Sequence, residues 1–192
     1  MSEVLEVFRL GNKKLTISTD DDSEDPREWD NLGQMYTWHR DYVWGDSHRY
    51  PTSADFLDSE IEDGDVVLSV YAYIHSGVCL STNAFSCDWD SGRVGFIFAK
   101  KNEIITEFGK DFSTEKIKEI LRQEVKTQDN WINGRVYGYE IVDLVTCDSC
   151  GHTSEKDEDD SSCFGYIGDD WQSSGLVEDL EDKWQKIIKG KY

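Results

Sequence analysis

The sequence predicts an α+β fold, an antiparallel β-sheet with helices packed mainly on one face in a single domain over residues 1–192. Three observations lead there. Strand-like runs occur in adjacent pairs, helical periodicity is confined to segments between and after those pairs, and large aromatics are numerous enough to close a core. The 192 residues include 7 Trp, 9 Tyr and 8 Phe, which excludes a fully disordered chain. Two Pro and no internal repeat leave no linker to mark a boundary.

Val4 to Leu10 and Leu15 to Ser18 are β-prone and joined by Gly11-Asn12, a hairpin signal. Asp25-Pro26-Arg27-Glu28 resembles a helix start, with Asp at the N-cap and Pro at the first helical position. Trp29, Leu32 and Tyr36 would share a face of that helix. Thr52 to Glu62 is a second short helix, its Thr52 and Asp55 spaced as a capping box and Phe56, Leu57 and Ile61 facing inward. Val66 to Ile74, Val78 to Thr82 and Arg93 to Lys100 are strands, the first two joined at Ser76-Gly77. Glu103 to Phe108 is a helical turn, and Thr114 to Trp131 is the strongest helix, with Ile117, Ile120, Leu121, Glu124, Val125 and Gln128 setting its register. Arg135 to Thr146 is a long strand with Cys163 to Ile167 as its partner, so residues 147–162 form a polar hairpin extension. Leu176, Leu180, Trp184, Ile187 and Ile188 line one stripe of a C-terminal helix.

Charge narrows the function classes. Forty acidic residues against 20 basic ones give a net charge of −20, which argues against direct binding to nucleic acid or to an anionic membrane. No apolar run approaches the ~18 residues of a membrane span, and the first ten residues lack the pattern of a secretion signal. With five cysteines, an odd number, the expectation is reduced thiols in a cytoplasm. In the C-terminal helix, Glu178, Asp179, Glu181 and Asp182 precede Lys183, Lys186 and Lys189, as the helix dipole favours. Asp20, Asp21, Asp22, Glu24 and Asp25, and then Glu155, Asp157, Glu158, Asp159 and Asp160, have no such helical role. They are the candidate partner-binding surface.

Signals for bound metal or covalent chemistry are sparse. Cys147-Asp-Ser-Cys150 has the spacing of half a zinc ribbon, but only Cys163 follows it, and His152 shares the same tight turn. Zinc at Cys147, Cys150 and Cys163 is the metal reading these cysteines allow, and a divalent metal at Asp46, Asp90, Asp169 and Asp170 is a second; otherwise no cofactor is expected. Calcium loops starting at Asp20 or Asp88 lack the required Gly, Glu or ligand positions. His75 and Cys87 form a conceivable nucleophilic pair, with Asp90 or Asp46 to orient the imidazole. Hydrolase-elbow and phosphate-loop signatures are absent.

Pro26-Arg-Glu-Trp-Asp-Asn-Leu-Gly33, then His39-Arg40 to Gly45-Asp46, His75-Ser-Gly77, Phe85-Ser-Cys-Asp-Trp-Asp-Ser-Gly92 and Cys163-Phe-Gly-Tyr-Ile-Gly-Asp-Asp170 give the chain a family likeness. It resembles a family of small acidic proteins of bacteriophages, plasmids and other mobile elements. The resemblance implies a genomic setting, with the protein in the cytoplasm of a bacterial host, and no activity, and it marks residues 147–162 as an addition. Its blocks pick out Asp30, Asn31, His39, Asp46, His75, Asp90, Asp169 and Asp170, which either line one pocket or cap turns. The leading expectation is a non-enzymatic accessory protein that binds and inhibits a host or phage DNA-handling protein, of restriction or CRISPR nuclease type, through an acidic DNA-mimicking surface. The rivals are a small enzyme or ligand-binding protein with a carboxylate/His pocket, possibly metal-dependent, and a zinc-stapled interaction module.

Overall fold

The computed structural model describes residues 2–87 and 89–191, and for 157–161 the backbone course alone. Its elements run β1 (Val4–Leu10), β2 (Lys13–Thr19), a 3-10 turn (Pro26–Glu28), β3 (Gln34–Thr37), α1 (Ser53–Glu60), β4 (Val66–Ile74), β5 (Val78–Ser81) and β6 (Ser91–Ala99). Then come α2 (Lys101–Phe108), α3 (Thr114–Ile132), β7 (Val136–Thr146), β8 (Thr153–Ile167), α4 (Leu176–Asp179) and α5 (Asp182–Lys191). The class is α+β with antiparallel pairing throughout, but there are two four-stranded sheets and not one. They belong to two compact units, one made of residues 1–24 and 134–192, the other of 25–133. Because the first unit draws on both ends of the chain, no linker composition announces either crossing point.

In the unit formed by the chain ends, the sheet order is β1-β2-β7-β8. Gly11 turns the first hairpin with φ +60°, a conformation that costs glycine little. One face carries Phe8, Leu15, Ile17, Tyr137 and Ile141, alternating with solvent-side positions as the pleat requires. Trp184, Leu176, Leu180 and Ile188 close on that face. The apolar stripe from Leu176 to Ile188 is therefore real, but it is carried by two helices. The chain is extended at Leu180, whose carbonyl accepts a hydrogen bond from Gln185 Nε2 at 2.7 Å, and helix resumes at Asp182. β8 begins at Thr153, ten residues before the expected Cys163, and pairs with β7 as far as the tip.

In the 25–133 unit the order is β3-β6-β4-β5. Ile117, Leu121 and Val125 of α3 pack on Met35, Val70, Leu80, Ile97 and Ala99. The alternate positions Tyr36, Phe96 and Phe98 point to the other face, where Phe56 of α1, Trp38 and Tyr50 cover them. The long α3 thus covers one face of this sheet and the short α1 part of the other. The expected helix from Pro26 to Tyr36 is also corrected. Asp25 does cap Arg27 N at 2.8 Å, but only one 3-10 turn forms, and the chain then extends into β3.

Trp184 is fully buried. Replacing it with Ala leaves a cavity beneath the β1-β2-β7-β8 sheet, and the expected loss is about 3–5 kcal/mol in denaturant unfolding. A loss below about 1 kcal/mol would contradict the described packing.

Candidate functional site

The strongest local constraint in the 25–133 unit is an ion cluster around Arg27, whose side chain is only 6% exposed. Its Nε and Nη2 donate to Asp46 Oδ1 and Oδ2 at 3.0 and 2.8 Å, a bidentate pairing. Nη1 reaches Glu124 Oε2 at 3.4 Å, and Nη2 also donates to the Gly33 carbonyl at 2.5 Å. Glu124, on the inner side of α3, further accepts the backbone N–H groups of Leu32 and Gly33 at 3.0 and 3.1 Å. Asp46 accepts Met35 N at 2.7 Å. Burial pushes the Glu124 carboxyl above its ordinary range, opposed by the Gly33 N–H and by Arg27. Burial works against the Arg27 charge, yet Asp46 and Glu124 outweigh it and hold the guanidinium above its usual value. A Cβ on Gly33 would collide with Leu121, so glycine lets this loop lie directly on α3.

That clamp fixes residues 30–34 as one wall of a groove of about 670 Å³. The opposite wall is α2, and the floor is α3 at Ile120 and Glu124. Asp30, Glu103, Glu107 and Glu124 make the lining anionic, while Asn31, Gln34, Asn102 and Thr106 add neutral donors and acceptors. An adjoining hollow of about 400 Å³ shares Asn31, Ile120 and Glu124 and ends at Trp29. Two exposed aromatics flank the pair of hollows, Trp29 at 45% and Phe108 at 38%. The Phe108 ring already has an ammonium near its face, with Lys116 Nζ 5.8 Å from the centroid.

The α2 wall is held from outside its own sequence. Lys100, at its N-cap, makes no side-chain cap, and Asp65 Oδ1 instead accepts Lys101 N at 2.9 Å while Oδ2 accepts Glu62 N at 3.0 Å. Lys100 Nζ sits 3.3 Å from Asp65 and 3.1 Å from Glu60. Burial opposes ionisation of Asp65, but the two N–H donors and Lys100 prevail and hold its carboxyl below the ordinary range. On the aromatic face of the sheet, Tyr36, His48, Tyr50 and Glu60 line a shallower concavity, where His48 Nδ1 is buried without a hydrogen-bond partner.

The six picked-out residues that lie in the 25–133 unit do not line one described hollow together. Asp30 and Asn31 line the groove; Asp46 is bound to Arg27. His39 is stacked on Tyr42 and tilted against Trp44, at centroid distances of 5.2 and 5.1 Å. His75 meets Asp90 at 3.3 Å beside the β4–β5 turn. Cys87 Sγ lies 4.0 Å from the same Asp90 oxygen, so the carboxylate touches both thiol and imidazole. A nucleophilic relay needs the imidazole in the middle, and this order does not supply it. Asp169 and Asp170 belong to the other unit, where Asp169 lies 3.7 Å from Arg135 and Asp170 accepts Ser173 N at 2.8 Å. The turn-capping role fits Asp170, whose carboxyl is lowered by the Ser173 hydroxyl and amide.

In the chain-end unit, the start of one acidic tract and the start of the other lie toward opposite ends of β7. Asp20 N bonds to Val136 O at one end of β7, whereas Glu155 pairs with Leu144 near the other. Eight residues of strand separate them, about 26 Å. Lys14 lies toward the Glu155 end and bonds to Glu155 at 2.5 Å. Each tract also has a local role. Asp20 accepts Asp22 N at 3.1 Å, and β8 is a sheet edge, where charge discourages pairing with another strand. The side chains of Asp157, Glu158, Asp159 and Asp160 lie outside the described residues, and Asp25 is the Arg27 cap.

Cys147 and Cys150 are exposed in the β7–β8 turn, whereas Cys163 is paired with Tyr139. Seven strand residues separate Tyr139 from Thr146 at the turn, about 23 Å, so the three cysteines cannot share one ion. Among the described residues, no three His, Cys, Asp or Glu side chains gather into a metal site. No helix among them is long and apolar enough to cross a membrane.

Arg27→Ala strands two partly buried carboxylates, with an expected loss of about 3–5 kcal/mol in chemical denaturation; a change under about 1 kcal/mol would contradict the clamp. Asp65→Ala removes the α2 cap, and a loss of about 1–2 kcal/mol is expected near neutral pH. Because the Asp65 pKa is depressed on folding, its stabilisation is present above the unfolded value of about 3.9 and is lost as pH falls through the folded value. The gap between wild type and Asp65→Ala should therefore shrink on acidification; a gap that widens would contradict the assignment. Comparison of the chain with protein-family models, curated proteins and solved structures gives no match.

Proposed function

We propose that this is a non-enzymatic binding protein that captures a Lys/Arg-rich segment of a partner protein in the groove between residues 30–34 and α2. The observation that carries this reading is the groove's lining: three exposed wall carboxylates, Asp30, Glu103 and Glu107, beside Ile120, with exposed aromatics at its margins. Acidic residues select cationic side chains, and the aromatic rings accept their aliphatic stems and charged heads. The unit around the groove has 20 acids and 11 bases, so its long-range field also favours a basic partner.

Proteins that handle DNA present basic surfaces matched to its phosphates, and they are the partner class that this chemistry fits best. Occupying such a surface would block DNA without reading its sequence, a role suited to an accessory protein of a phage or mobile element. This proposal puts the contact region at the groove instead of at the tracts 20–25 and 155–160. An enzymatic role has less support, because His39, Asp46, His75 and Asp90 are not among the groove's lining residues.

The test is titration of the full chain with a fluorescent Lys/Arg-rich peptide at several salt concentrations. Binding should weaken with salt, and Glu103→Gln with Glu107→Gln should weaken it about three- to tenfold at low salt, since each exposed ion pair contributes about 0.2–1 kcal/mol. Asp20→Asn, Asp22→Asn and Glu155→Gln together should change it less than twofold. The reverse pattern would move the contact to the acidic tracts, and salt-independent binding would defeat the electrostatic reading.

A further inference from the structure

The hollow of about 400 Å³ beside the acidic groove has a surface of the opposite character. One side is formed by Pro26 and Trp29. The other is a stripe of α3 with Lys116, Ile120, Gln123 and Thr127, spaced three or four residues apart and so on one flank of the helix. Polar residues border this hollow, but Asn31, Glu119, Gln123 and Glu124 are already engaged. Gln123 Nε2 donates to Glu119 Oε1 at 2.9 Å, and Arg122 Nη1 donates to Glu119 Oε2 at 3.2 Å. Asn31 Nδ2 donates to the Pro26 and Trp29 carbonyls at 2.7 and 3.2 Å. Glu124 is taken up by Arg27 and by the N–H groups of Leu32 and Gly33. What the hollow presents is mostly apolar surface, with Pro26, Trp29 and Ile120 as its apolar residues. A polar side chain entering it would lose water and gain few partners, so the site favours an apolar one.

We propose that this hollow is the anchor pocket of the groove: the cationic segment carries one large apolar side chain, aliphatic or aromatic, a few residues from its Lys/Arg cluster and seats it against Trp29 and Ile120. The inference rests on the groove reading and goes beyond it by stating what the partner segment contains besides charge. Continuity of the two hollows carries it. They share Asn31, Ile120 and Glu124, so a chain lying in the groove reaches the second hollow across Ile120. An extended chain advances about 3.3 Å per residue, which keeps the anchor close in sequence to the basic residues. The pocket is also formed in advance. Asp25 caps the 3-10 turn at Arg27 N, Trp29 N bonds to Pro26 O at 3.3 Å, and Arg27 ties that turn to α3 through Glu124. Acidic walls alone accept any basic segment, whereas an anchor filling a pocket selects among them.

The experiment is titration of the full chain with fluorescent Lys/Arg-rich peptides of equal charge. One has only Ala at its uncharged positions, and the others carry a single Leu or Trp at successive positions. The best-placed anchor should tighten binding about tenfold, a gain that persists at high salt, where the charge contribution is screened. Trp29→Ala should cost the anchored peptide about fivefold more than the anchorless one, a coupling that a general loss of structure would not produce. Trp29 is exposed, and far-UV circular dichroism verifies the fold of the variant. Glu103→Gln with Glu107→Gln should weaken both peptides alike and leave the gain intact. If the basic peptides bind but no anchor position adds more than about twofold, or if the gain survives Trp29→Ala, this proposal is overturned and the groove reading stands. If none of the peptides binds, the groove reading falls and this inference falls with it.

Discussion

The structure of the 25–133 unit depends on one buried cation. Arg27 joins the loop after the 3-10 turn, the Gly45-Asp46 strand return and the inner side of α3, three segments far apart in sequence. A guanidinium this buried is tolerated only when its donors are matched, and here they meet two carboxylates and a carbonyl. The same carboxylates are in turn bound by backbone N–H groups of residues 32, 33 and 35. Charge neutralisation and main-chain satisfaction are thus one arrangement, and the groove wall is its outer surface.

The groove owes its shape to two capping interactions made at a distance. Glu124 holds the residue 30–34 loop against α3, and Asp65 holds the start of α2. Neither is a contact with a ligand, yet both decide where Asp30, Glu103 and Glu107 stand. Binding specificity would then come from acidic walls mounted on packed elements, with little ordering left to occur on association.

Much of the fold is legible in the sequence because its signals are local. Gly11 between two β-prone runs, the Thr52/Asp55 capping box and the periodicity of Ile117, Leu121 and Val125 each specify an element without outside help. Legibility fails where distant residues decide. Asp25-Pro26 has the local chemistry of a helix start, but Glu124 takes the N–H groups of Leu32 and Gly33 and the chain extends into β3. The stripe from Leu176 to Ile188 keeps its face while the helix breaks at Leu180, because burial of Trp184 and Ile188 fixes the positions more strongly than backbone continuity does. Of the candidate site, Asp30 and Asn31 were visible through their Gly/Trp-rich block. Glu103 and Glu107 were not, since an acid on an amphipathic helix looks the same whether it faces solvent or a groove. Glu124, an acid among the apolar positions of α3, was the one signal that could have pointed to the clamp.

The central claim is that a cationic segment enters the groove between residues 30–34 and α2. The most direct measurement is amide chemical-shift mapping of the full chain during titration with a Lys/Arg-rich peptide. The account predicts saturable shifts at Asn31, Leu32, Gly33, Asn102 and Thr106, with little change at Asp20, Asp22 or Glu155. Shifts confined to the acidic tracts, or spread evenly over every acidic surface, would contradict it.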